Sequence, residues 1–154
     1  MKLSEYADPS LVVTQIDQGG IGDILTQLVA PLVPAGMVDS SEQVIAALTA
    51  REAVMSTGLG AGIAVPHAIS SRLTNPCLII GICQPGVEFK ALDGNPVNVF
   101  FVLLSPPNHA GHHIRMLARI ARLTKHPEFV DALRTSTDPQ VVVSHIARYE
   151  AEHI

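Results

Sequence analysis

His67 stands directly behind a proline near the end of the stretch STGLGAGIAVPHA, residues 56–68. A neutral imidazole is a competent nucleophile near neutral pH, and histidine can carry a covalent intermediate. Pro66 fixes its own φ and biases Val65 toward an extended conformation, so GIAVP reads as a short strand that delivers His67 at its end. Ahead of it Gly58, Gly60 and Gly62 alternate. They allow positive φ at several points and bring bare N–H groups close to a ligand, where they could form an anion-binding nest. The stretch lacks the Gly-Lys-Ser/Thr ending of a P-loop, and Ile63 breaks a GxGxxG spacing. Spacing alone leaves a structural or merely exposed His67 open.

Arg51 lies at helical spacing from Val44, Ala47 and Leu48 and so ends a face that points to the core. A guanidinium there could bind a phosphate in fork geometry, or snorkel from a helix end. The second cluster is HAGHHIRMLARIAR. His113 is followed by Met116, Leu117 and Ile120, an apolar face, whereas His112 is followed by Arg115, Arg119 and Arg122, a basic stripe. Three readings fit. The face is solvated with a capping histidine; or His113 binds phosphate at a helix N-terminus beside a stripe that docks an acidic or phosphorylated partner; or His109, His112 and His113 hold a metal, although no carboxylate or cysteine lies close in sequence to complete that set.

The elements that must position these residues follow from periodicity. SLVVTQI predicts a first strand, and Ile21, Ile24, Leu25, Leu28 and Leu32 a helix that Pro31 and Pro34 disturb or end. DSSEQVIAALTARE predicts a second helix, with Ser40 or Ser41 as N-cap and Gln43 available for a capping box from Ser40. CLIIGIC predicts a strand buried on both faces, and Asp93-Gly94 a tight turn between two extended segments. AGHHIRMLARIARL predicts a helix with Ile114, Leu117, Ala118 and Ala121 on one face. PEFVDALRT and DPQVVVSHIARYEAE predict two more, the first with Pro127 near its first turn and the second with Asp138 as cap and Pro139 at the first helical position. Helices at both ends with strands between give an α/β fold with a mixed sheet flanked by helices; the order is not a clean βαβ repeat.

The bounds agree. A chain of 154 residues with 47% hydrophobic content reads as one domain, 1–154, with a core of Val, Ile, Leu and Ala, since aromatics are scarce and Trp is absent. No apolar run is long enough to span a bilayer, and MKLSEYADPS is not a signal peptide, so the cytoplasm is the expected location without direct membrane insertion. The net charge of −4 argues against nucleic-acid binding. Cys77 and Cys83 sit in no metal-like spacing and read as small buried hydrophobes.

Together, ARE…STGLGAGIAVPH, VEFKALDGNPVNVFFVLLSP and HHIRMLARIARL resemble the enzyme IIA domain of the fructose/mannitol type. That family belongs to the bacterial phosphoenolpyruvate-dependent phosphotransferase system and includes the nitrogen-regulatory enzyme IIA. The likeness covers nearly the whole chain. It implies that His67 is phosphorylated on Nε2 by the phosphohistidine of HPr and passes the group to a IIB component. It further implies that Arg51 sits near the phosphoryl group, that His113 helps hold it, and that Ser56 and Thr57 shape the pocket with Gly58, Gly60 and Gly62. Neither cofactor nor metal is called for. Ala68 departs from the nitrogen-regulatory branch, which often has Gly-Lys there, and HAGHH carries more histidine than the pattern requires.

The resulting expectation is a cytoplasmic phosphocarrier, with His112, Arg115, Arg119 and Arg122 docking the donor and acceptor proteins. No IIB, IIC or HPr unit is expected on this chain, and a free-standing unit fits a regulatory role better than a dedicated sugar one. The alternatives are an interaction module that kept the fold without the transfer chemistry, and a histidine-cluster metal protein.

Overall fold

A computed structural model describes residues 2–153; residues 1 and 154 of the expected domain lie outside that range. After two 3₁₀ turns the elements are β1 (Val12–Val13), α1 (Ile21–Val29), α2 (Glu42–Val54), β2 (Gly58–Gly60), β3 (Ile63–Ala64), β4 (His67–Ile69), β5 (Cys77–Val87), β6 (Val97–Ser105), α3 (Ala110–Leu123), α4 (Pro127–Arg134) and α5 (Pro139–His153). The sheet runs β1-β5-β6-β3-β2, and β4 also pairs with β6. It is mixed: β5 runs antiparallel to β6, while β1 is parallel to β5 and both β3 and β4 are parallel to β6.

The unbroken apolar runs in β5 and β6 have a physical cause. Alternate side chains of a strand leave opposite faces of the sheet, and here helices cover both faces. Ile79, Phe100, Val102 and Leu104 pack with Ile24, Leu28, Val44 and Leu48 of α1 and α2. Leu78, Ile80, Phe101 and Leu103 pack with Met116, Ile120, Phe129 and Ile146 of α3, α4 and α5. Each such side chain contributes roughly 1.5–3 kcal/mol of transfer free energy. Cys77 and Cys83 are buried free thiols in the first of these cores. Among the described residues no helix is long and apolar enough to cross a membrane.

Several local expectations shift. The capping box at α2 does not form: Gln43 accepts from Arg72 Nε at 2.6 Å instead. The turn at Asp93-Gly94 forms, with Gly94 N donating to Ala91 O at 2.9 Å, but it sits within a longer loop, 88–96, between β5 and β6. The core face of α3 is the one His113 begins, with Met116, Ile120 and Leu123 buried, and Ile114 is 67% exposed. The other helix starts follow expectation. Pro127 opens α4, and Asp138 Oδ1 accepts from Gln140 N at 2.9 Å at the start of α5.

Candidate active site

His67 does not end a strand; it opens one. β3 and β4 lie end to end along β6, with Ile63 opposite Val99 and His67 opposite Leu103. Between them Pro66 can donate no ladder bond, but its carbonyl accepts from Leu103 N at 3.0 Å and carries the register across the break. Val65 is pinned from the other side, its N–H donating to Thr57 O at 3.0 Å. The carbonyl of Val65 is then free to face the imidazole, and Nδ1 of His67 lies 2.8 Å from it. A carbonyl oxygen only accepts, so Nδ1 carries the proton and Nε2 keeps its lone pair. Val65 was missed as a site residue, although its position two residues before the histidine, across a proline, was a usable signal.

His113 is the second imidazole. It falls in the first turn of α3, is only 7% exposed, and its ring centroid lies 5.7 Å from that of His67 at a tilt of 51°. Its Nδ1 is 2.7 Å from Ser105 Oγ at the end of β6. Burial, and then the neighbouring imidazoles of His67 and His112, push its pKa down to about 4. His113 is therefore neutral near pH 7. The two histidines meet because β4 and the end of β6 are neighbours and α3 starts directly beyond β6.

The remaining candidates separate. Arg51 is half-buried and donates from Nη1 to Met55 O at 2.8 Å, closing the C-terminus of its own helix. The buried charge on that helix face is Glu52, which accepts from Thr57 N at 3.0 Å and from the Thr57 hydroxyl. Ser56 Oγ accepts from Gly58 N at 3.0 Å and donates to Phe89 O at 3.2 Å. Thr57 and Ser56 thus tie the β2–β3 hairpin to α2 and to the loop that follows β5.

The glycines pack against other partners than the imidazoles. A Cβ on Gly58 would lie 2.7 Å from Ala91 Cα, and one on Gly62 2.8 Å from Asn98 Oδ1. Gly62 has φ +81° and its carbonyl accepts from Asn98 N and Val99 N at 2.8 and 3.0 Å. Asp93 accepts from Asn95 N and from Ala61 N, each at 3.0 Å, and those backbone bonds, Asn95's first, hold its carboxyl below its ordinary pKa. Close packing requires glycine at positions 58 and 62, and the hairpin is held there as a backbone clasp. A cleft of about 700 Å³ opens near Gly62, Asn98 and Arg134, and neither His67 nor His113 lines it.

The basic stripe is broken as well. Arg119 lies 3.4 Å from the fully buried Glu150, which also accepts from Leu3 N at 2.7 Å and Ser4 N at 3.1 Å. Arg115 and Arg122 are exposed, whereas His112 is half-buried with Nε2 2.9 Å from Tyr6 Oη. His109 Nδ1 is engaged by Asn108 Oδ1 at 3.0 Å. Among the described residues no group of three or more His, Cys, Asp or Glu is arranged to hold a metal ion.

Fold and site together define an α/β protein that sets a half-buried histidine, its Nδ1 engaged by a backbone carbonyl, beside a second, buried one. The chain belongs to the family described as phosphoenolpyruvate-dependent sugar phosphotransferase system, EIIA 2, which matches residues 5–149. It is 31% identical over 144 residues to a nitrogen regulatory protein of Bradyrhizobium diazoefficiens, covering 80% of this chain and 94% of that one. A fructose-specific EIIABC component of Bacillus subtilis is 25% identical over 150 residues, 97% of this chain, which spans only 24% of that longer protein. The crystal structure of nitrogen regulatory protein IIA-Ntr from Neisseria meningitidis superposes with a TM-score of 0.84 at 27% identity, covering 94% and 98% of the two chains. Enzyme IIAMTL in its complex with phosphorylated enzyme IIBMTL from Escherichia coli shares the fold, at a TM-score of 0.74 and 17% identity over 90% and 95%.

Proposed function

We propose that the protein is a phosphocarrier that accepts a phosphoryl group from phospho-HPr on Nε2 of His67 and passes it to a IIB component or serves as a phosphorylation-dependent regulator. The observation that carries this reading is the hydrogen bond from Nδ1 of His67 to the Val65 carbonyl, which leaves Nε2 as the free nucleophile. Nε2 attacks the phosphorus of the donor's protonated phosphoimidazole. The new P–N bond forms as the donor's P–N bond breaks, and the donor ring leaves as neutral imidazole with the bonding pair. His67 becomes the phosphoimidazolium, its Nδ1 proton shared with Val65 O. Charge is conserved, and onward transfer reverses the roles.

Phosphoryl transfer depends mainly on positioning and on stabilising charge over the equatorial oxygens. In this reading His113 and the first amides of α3 meet those oxygens. Arg51 contributes guanidinium N–H groups beyond the one given to Met55, from a helix packed against β4. Docking combines Arg115 with exposed apolar side chains next to the histidines: Ile69 is 41% and Ile114 67% exposed. A transient partner of mixed apolar and acidic character fits that rim. The nitrogen regulatory relatives favour the regulatory form of this role.

The test is incubation with phosphoenolpyruvate, enzyme I and HPr, followed by mass measurement. One acid-labile, base-stable phosphoryl group is expected, absent in His67→Ala. Label on another residue, or none with several HPr partners, would sink the proposal.

A further inference from the structure

Ser105 ends β6, a strand whose every residue is buried, and is itself 0% exposed. Its backbone carbonyl accepts from Ser70 N at 2.9 Å. Among the described residues its hydroxyl has a single hydrogen-bond partner, Nδ1 of His113 at 2.7 Å. Either atom could supply the proton, but the two choices are not equivalent. If Nδ1–H donated, the hydroxyl proton of Ser105 would be left in a dry site without an acceptor, which buried polar groups avoid. If the hydroxyl donates, both atoms are satisfied, and the ring proton of neutral His113 resides on Nε2. That nitrogen lies on the ring edge away from Ser105, in a ring 5.7 Å from His67, centroid to centroid.

We propose that Ser105 is a positioning residue that locks His113 in its Nε2–H tautomer, so that this nitrogen donates a hydrogen bond to the phosphoryl group on His67. The last clause rests on the phosphocarrier reading; the tautomer does not. The two imidazoles are then held as opposites. Val65 O makes His67 a lone-pair nucleophile at Nε2, and Ser105 Oγ makes His113 a neutral donor at Nε2. The depressed basicity of His113, caused by burial and by His67 and His112, keeps the ring uncharged, which is the state in which tautomer choice matters.

Long-range ¹⁵N NMR of the histidine rings in the unphosphorylated protein reads the tautomer directly. Wild type is expected to show His113 as Nε2–H, and Ser105→Ala to lose that preference. Transfer from phospho-HPr to His67 in Ser105→Ala should fall about tenfold, the worth of one hydrogen bond. Ser105→Thr, which keeps the hydroxyl, should restore both readings. An Nδ1–H tautomer in wild type overturns the proposal, as does a Ser105→Ala protein in which tautomer or rate changes without the other. Should neither variant fold, the wild-type spectrum still decides the tautomer. Wild type that shows Nε2–H on His113 yet takes no phosphoryl group overturns the carrier reading and the donor role with it, leaving the tautomer control standing.

Discussion

The rings of His67 and His113 are 5.7 Å apart, centroid to centroid, and the second is nearly sealed from water while the first is half-exposed. Burial of His113, and after it the neighbouring imidazole of His67, makes the fold acid-sensitive. His113 has a folded pKa of about 4 against an ordinary 6.5, so its contribution is fully present above pH 6.5 and is lost as pH falls toward 4. The effect amounts to roughly 3 kcal/mol. In urea titrations between pH 7 and 4.5, wild type should lose its stability advantage over His113→Gln. Curves that run parallel would show that His113 is not buried neutral. A phosphoryl dianion on His67 is expected to raise the His113 pKa, which NMR titration of the phosphorylated protein would detect.

The glycine clasp predicts stability effects rather than chemical ones. Gly58→Ala drives a Cβ into the backbone of Ala91, and Gly62→Ala adds strain at φ +81° to a clash with Asn98. Each should cost about 1–3 kcal/mol in urea denaturation. Whatever fraction folds should still be phosphorylated. A variant of wild-type stability that accepts no phosphoryl group would instead return these glycines to the reactive site.

Arg115 and Arg119 lie on one helix four residues apart yet should behave differently. Arg115→Ala is expected to raise the apparent KM for phospho-HPr, more so at low salt, with little change in Tm. Arg119→Ala should lower Tm, because it strands the buried carboxylate of Glu150. Glu150→Ala removes the acceptor for Leu3 N and Ser4 N too, and should cost about 3–5 kcal/mol. Equal effects of the two arginine substitutions on transfer would support the continuous docking stripe after all.

Glu52→Ala should loosen the approach to β2 by leaving Thr57 N and its hydroxyl without their acceptor, at about 1–3 kcal/mol. Hydrogen exchange at Thr57 N should accelerate well beyond that of the α2 interior. Unchanged protection there would mean that the hairpin is held without Glu52.

What was legible in the sequence had local causes. Pro66 before His67, Pro127 and Pro139 at helix starts, and the apolar run CLIIGIC each act on neighbouring residues, so their spacing reports the outcome. The packing partners of the glycines, Ala91 and Asn98, lie more than thirty residues away, so only the tertiary fold shows that close approach is required there. Glu52, Glu150 and Ser105 were overlooked for the same reason. A buried carboxylate has no sequence signature apart from the distant amides it serves, and Glu150 reaches across the chain to Leu3. On α3 the spacing offered two apolar faces, and only packing chose between them: the one that His113 begins, with Met116 and Ile120, is buried, while Ile114 is exposed.

The clasp between Glu150 and the amides of Leu3 and Ser4 brings residues from opposite ends of the chain to one point. A polypeptide can therefore enter and leave this fold through a single doorway, as a bead is clipped onto a string. Inserted between other units it would not force them apart, and its ends could be joined and the ring reopened in an exposed loop without disturbing the two histidines.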